Sequence, residues 1–331
     1  MTALATGSRG ERPRGTPKEG SPRTLPEAHP SRLMAGSLLI ITLWLVTILS
    51  LLAVAMARSL SLEVRVAKYR AARSQAAALA RDGVYLASRR LAEDAEAGRA
   101  QGASYDWPGE AWAQEIAVFG DGDGTAPRLV VAVADEQRKL SLNGATGEQL
   151  IRLTGSAAIA QPVLDARLAK RGPFAALEEL SDVPEMTPDA YAALRQATSP
   201  YLAPTEPINL NTAAPEVLRA AGLGESTVAL VMHFRDGPDG PSAHEQDGVF
   251  TGAGVSVLQA LTNGEGVDLS GTPDGTLLSS PLFGVASDVF TVVSEGRVER
   301  PAVRVRVEAV VRRSGCAGDT PSPCIIAWRE G

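Results

Sequence analysis

The chain has 331 residues, 21% of them charged and only 5% aromatic, with a formal net charge of −6 at pH 7. Residues 1–36 hold six basic and three acidic side chains, so the remainder carries 26 basic against 35 acidic, a balance of −9 that speaks against a nucleic-acid partner for most of the molecule. Setting aside a hydrophilic leader and one apolar stretch leaves one or two domains of ordinary size.

The first element is RLMAGSLLIITLWLVTILSLLAVAMAR, residues 32–58, with 25 uncharged residues between Arg32 and Arg58. As a helix, residues 37–57 measure about 32 Å, enough to cross a hydrocarbon core of about 30 Å. The apolar part of a secretory signal is only ~7–15 residues and ends at a small-residue cut site, so this stretch reads as a span. Its flanks do not orient it, because residues 58–91 hold eight basic and two acidic side chains and are more basic than the leader.

No proline falls between Ser31 and Trp107, and the only glycines between Ser31 and Gly98 are Gly36 and Gly83, so the helix is expected to continue to about Ala95, roughly 85–90 Å in all. Leu62, Val66, Tyr69, Ala76, Ala80, Val84, Ala87 and Leu91 recur at steps of three and four, a stripe suited to docking, while Arg58, Arg65, Arg70, Arg73 and Arg81 stay in water.

EIAVF and RLVVAVAD then read as strands joined by the turn GDGDGT. Near the C-terminus, DVFTVVSEGRV and AVRVRVEAVVRR alternate at period two around VERPA, and CIIAWRE supplies a last strand. Between them, residues 143–262 are helical in pattern, so the fold class is α+β: a long N-terminal helix, a small antiparallel sheet and an inserted helical domain. Within the insertion, LSLNGATGEQLIRLTG (140–155) is echoed by INLNTAAPEVLRAAGLG (208–224). In the second copy Asn211 can cap a helix beginning near Ala213, with Pro215 in its first turn and AGLG leading into ESTVALVMHFR. This is a helix-hairpin-helix pattern. Such hairpins often hold a DNA phosphate, yet Glu225 follows this one, and residues 143–262 carry seven basic against fourteen acidic side chains.

His29, His233 and His244 stand in no zinc-binding spacing, and there is no Gly-x-Ser-x-Gly elbow or phosphate loop with lysine, so no catalytic residue is expected. Asp121, Asp123, Asp236, Asp239, Glu245 and Asp247 lie in Gly-rich loops and are either calcium ligands or solvated turn residues. Cys316 and Cys324, eight apart, can close a small loop in an oxidising compartment; the alternative is two inert thiols.

A basic leader ending in glycine, then a small residue opening an unbroken apolar helix, resembles the type IV pilin class, whose members are cut after that glycine by prepilin peptidase. The implied cut lies between Gly36 and Ser37. The fifth mature position, a glutamate in most of the class, is Ile41 here. A buried carboxylate is tolerated only with a partner, in a filament the neighbouring subunit's amine, and a tip subunit has no neighbour ahead of it. The ordered set ADEQRKLSLN, GPFAALEELSDVPEMTPDAYAALRQ, INLNTAAPEVLRA and IIAWRE, together with the missing glutamate, is similar to the minor pseudopilin K family of type II secretion systems along nearly all of the mature chain.

That resemblance implies a leader at 1–36, a span at 37–57, a helical continuation at 58–97, β-regions at 98–142 and 263–331, and the insertion at 143–262. It implies a non-enzymatic subunit of the bacterial inner membrane, its bulk in the periplasm, capping a pseudopilus and helping to initiate its assembly. The implied partners are the I-type and J-type minor pseudopilins, the major pseudopilin, the inner-membrane assembly platform and prepilin peptidase, with no nucleic acid. The I-type and J-type contacts are expected through Leu62, Val66, Tyr69, Val84 and Leu91. No cofactor is required; calcium in the helical domain of some members favours the second loop, Asp236, Asp239, Glu245 and Asp247. Alternatives are a minor type IV pilin and a membrane-anchored helix-hairpin-helix receptor for DNA uptake.

Overall fold

The computed structural model describes residues 33–102, 104–119, 128–170, 172–237, 248–316 and 323–331. The chain divides into two units, Met1–Glu63 and Val64–Gly331. What is described of the first is helical and belongs to α1 (Leu33–Gln101), whose apolar side chains from Leu38 to Val54 are all exposed.

In the second unit, α1 lies against a five-stranded antiparallel sheet of order β1-β2-β7-β8-β9, built from β1 (Ile116–Val118), β2 (Arg128–Asp135), β7 (Val289–Glu299), β8 (Ala302–Arg312) and β9 (Cys324–Glu330). Alternation at period two sends Val131, Phe290, Val292, Val307, Ala309 and Val311 to one face, where they pack on Ala80, Val84, Ala87, Leu91 and Trp112. Trp112 meets Phe290 edge-on at 5.0 Å. The helix stripe is mostly alanine and glycine here because the backbones nearly touch. A Cβ on Gly296 would lie 2.0 Å from the Ala76 carbonyl oxygen, and one on Gly83 would lie 2.1 Å from Ser294 Oγ.

All remaining elements lie between β2 and β7. They form two repeats offset by 68 residues. The first comprises β3 (Leu140–Ser141), α2 (Gly147–Thr154), α3 (Ala157–Ala169), a 3-10 turn at Leu177–Asp182, α4 (Pro188–Ala197) and β4 (Thr198–Ser199). The second comprises β5 (Ile208–Asn209), α5 (Pro215–Ala221), α6 (Glu225–Asp236), α7 (Val255–Glu265), α8 (Pro273–Leu278) and β6 (Phe283–Gly284). In each repeat the opening strand pairs in parallel with the closing one.

Each repeat is latched by the same two side chains. The Asn143 carboxamide exchanges hydrogen bonds with the Phe174 backbone, accepting from N–H at 2.7 Å and donating to C=O at 3.1 Å. Asn211 does the same with Phe250 at 2.9 Å and 2.9 Å. Arg167 donates to the Leu142 and Ala145 carbonyls, and Arg235 donates to those of Leu210 and Ala213. Asn211 is therefore not a helix cap. α5 begins two residues later than expected, at Pro215, with Ala214 before it and no side-chain cap.

The insertion also extends beyond residue 262. α7 runs through that position, and the glycine-rich stretch after it is a turn: Gly266 ends α7 at φ 69°, and Thr272 caps α8, accepting from Gly275 N–H. The end expected at 262 mistook this turn for the exit, while the second repeat closes only at β6. At the other end, β3 belongs to the first repeat rather than to the pilin-like sheet.

Candidate functional site

Gly36 and Ser37 lie inside α1, which begins at Leu33, four residues before the expected start. Ile41 is on the same helix and exposed. From Leu38 onward this helix is long and apolar enough to cross a membrane.

The apolar stripe divides by its neighbours. Leu62, Val66 and Tyr69 are 63%, 40% and 49% exposed, whereas Val84 and Leu91 are fully buried in the core under β2, β7 and β8. Val84 and Leu91 therefore cannot be partner contacts, which corrects that part of the expected set. The reason is geometric: the β7–β8 hairpin packs on α1 at Ala72 and Ala76 through Val298, Val303 and Val305, and among the described residues of the second unit none before Ala72 is buried. The change from large residues (Leu62, Val66, Tyr69) to small ones (Ala72, Ala76, Ala80, Gly83) is the sequence signal of that boundary. Two exposed aromatics escaped the periodicity argument. Tyr85 stands one turn after Arg81, whose guanidinium pairs with Glu330 of β9 at 2.9 Å, and Trp328 lies two residues before Glu330. An edge-strand aromatic with an alternate-residue charge was the available clue.

Beneath the sheet end lies a buried polar network joining both layers. Asp106 receives both Arg313 Nη atoms at 2.8 Å, and Arg313 Nη1 also reaches Asp94 at 3.1 Å. Asp135 accepts from Ser287 Oγ at 2.7 Å, Asn209 Nδ2 at 3.0 Å and the Thr212 hydroxyl. Burial pushes the Asp135 carboxyl up to about 6, against the opposing hydrogen bonds of Thr212 and Ser287. Burial likewise pushes Glu110 up to about 7, although Trp112 Nε1 and Trp107 N–H donate to it at 2.8 and 3.1 Å. Carboxylate oxygens of Asp94, Asp106 and Glu110 come within 4.8 Å of one another, and the cation among them is the Arg313 guanidinium.

The helix-hairpin-helix expectation meets a specific obstacle. At the N-terminus of α6, where a hairpin would present amides to a phosphate, Gly224 N–H and the Thr227 hydroxyl donate to Asp274 of α8. Arg219 beside it is held by Glu225 at 2.6 Å. Of the expected calcium ligands, Asp236 is largely buried and paired with Arg235 at 2.7 Å; Asp239, Glu245 and Asp247 lie outside the described residues, as do Asp121 and Asp123. Cys316 and Cys324 are joined by a disulfide across the β8–β9 connection.

No known family profile matches the chain, and no curated protein is similar to it in sequence. Among solved structures, it is similar to a chain of the GspK-GspI-GspJ complex from the type 2 secretion system of enterotoxigenic Escherichia coli. The two superpose with a TM-score of 0.55 at 14% identity, covering 83% of this chain and 99% of that one. The likeness establishes a shared fold. Because the helical repeats fill about two-fifths of this chain, a match of 83% includes much of them.

Proposed function

We propose that this chain is a K-type minor pseudopilin of a type II secretion system. The observation that carries the reading is the fold match, whose coverage of 83% of this chain is too large to leave out the inserted repeats. In this reading prepilin peptidase cuts between Gly36 and Ser37, and the apolar part of α1 anchors the subunit in the inner membrane. The folded part lies in the periplasm, where it joins I-type and J-type minor pseudopilins, helps to start the pseudopilus and caps it. Ile41 suits a subunit with no neighbour ahead of it, since a carboxylate there would remain unpaired in lipid. The protein is non-enzymatic. The filled anion site at Asp274 and the acidic helical region weigh against a DNA receptor.

Two measurements test this. Mass spectrometry of the protein from its host envelope should give an N-terminus at Ser37; an intact leader, or a cut near residue 57, ends the pilin reading. Co-expression with I-type and J-type subunits should yield a complex with one copy of each, and self-polymerisation without such binding would refute the cap.

A further inference from the structure

The outer face of the sheet, opposite α1, is roofed by the first helical repeat. Two adjoining concavities open there, of about 360 and 270 Å³, and Arg138, Lys139 and Arg195 line both. The floor is sheet surface that includes Thr291 and Glu308; the roof includes Tyr191 of α4 and Glu178 of the 3-10 turn.

The charges in this cleft do not balance. Glu136 is held by Lys139 at 3.0 Å, Glu178 by Arg329 at 2.6 Å, and Glu308 lies 3.8 Å from Arg306. Each carboxylate in the lining therefore has its own cation. Arg138 and Arg195 are exposed and have no ion-pair partner among the described residues. The lining thus holds five cations against three carboxylates, and Arg138 and Arg195, the latter near enough to Glu178 to help hold it ionised, stand at the junction of the two concavities in a chain whose net charge is −6. Guanidinium groups bind carboxylates through two parallel hydrogen bonds, and two of them in one cleft favour a ligand carrying more than one carboxylate.

We propose that this cleft is a docking site for an acidic polypeptide segment of a partner protein, held by Arg138 and Arg195. The space exceeds what a single inorganic anion would fill, and its lining mixes the two guanidiniums with Leu177, Pro200, Tyr201 and Val293, which suits an extended peptide that carries carboxylates on side chains and lays its own carbon atoms along the apolar part. The surface is separate from the Leu62, Val66 and Tyr69 stripe and holds independently of the pseudopilin assignment.

The test uses the full chain in neutral detergent and a fluorescein-labelled octaglutamate peptide, read by anisotropy at low salt. Octaglutamate should bind, weaken as salt rises and outcompete octaglutamine. Arg138→Ser with Arg195→Ser should weaken binding at least about tenfold, while Arg219→Ser, removing an exposed guanidinium already paired elsewhere, should leave it unchanged. Absence of binding, equal binding of octaglutamine, or undiminished binding by the double variant overturns the site. Stronger binding to phosphatidylglycerol vesicles than to octaglutamate, lost in the same variant, assigns it to a membrane surface instead. If the double serine variant has an altered melting curve, Arg138→Lys with Arg195→Lys decides the matter: charge is kept and the bidentate geometry lost, so affinity should fall to an intermediate value, and wild-type affinity counts against the site.

Discussion

Gly296 lies directly against the backbone of the long helix, and the cost of adding a methyl group there can be stated. An alanine Cβ would meet a backbone oxygen, Ala76 O, which cannot rotate aside as a side chain can. Gly296→Ala should therefore destabilise the folded unit by about 2–3 kcal/mol, seen as a lower denaturant midpoint with unchanged slope. Glu110 gives a second prediction at this scale. Its carboxyl is raised to about 7 in the folded state, so the fold binds a proton that the unfolded chain has already released. Stability is then full below the unfolded value near 4.5 and is lost as pH rises through about 7. Glu110→Gln should flatten that window, removing about 1–2 kcal/mol of pH dependence once solvent screening at this half-buried group is allowed for. Asp135, raised to about 6, should leave a residual slope of the same sign just below. Neither carboxyl could be singled out from sequence, because nothing local to YDWPGE or VADEQ reveals which distant chain buries it.

The elements were more legible. All five strands of the main sheet could be placed from sequence: β2, β7 and β8 alternate in burial because one face is covered and the other is wet or half covered, while β1 and β9 stand out only as short apolar runs. The helical echo was visible too, but its latch was not. Asn211 stands before a helix, where caps occur, and only the tertiary partner Phe250, 39 residues away, shows that its amide works across the repeat. Asn211→Ala would leave the Phe250 N–H and C=O without this partner in a dry site, at a cost of about 2–3 kcal/mol; Asn143→Ala, in the less buried copy, should cost about half as much. Hydrogen exchange should show the loss as faster exchange at Phe250 and Phe174 respectively. For the anchor helix, Ile41→Glu should give no gain in pseudopilus assembly and lower membrane insertion; improved assembly would mark the protein as a shaft subunit.

At the scale of the molecule, helix, sheet and insertion were all readable, while the exit of the insertion was misplaced because a glycine-rich turn resembles a domain boundary. Val84 and Leu91 were misassigned to the partner stripe for a related reason: periodicity shows which residues share a helix face, and only the β7–β8 hairpin shows which of them the chain's own sheet covers. Replacing residues 140–284 by a short Gly-Ser linker should leave the helix and sheet folded on their own apolar core but less stable, since Asp135 loses Asn209 and Thr212, and Val289 and Val310 lose Leu202. The shortened protein should still bind I-type and J-type partners in co-purification but no longer block stacking.

Asp135 and Phe290 face each other across the β2–β7 ladder, and Glu136 N–H donates to the Val289 carbonyl at 2.9 Å, so the chain leaves and re-enters the sheet within one rung. To the sheet, some 150 residues amount to a single hairpin connection. A gene encoding such a protein can gain, lose or exchange its helical repeats at one locus without disturbing the register of a single strand, and the same doorway would accept any foreign domain whose ends lie about 5 Å apart.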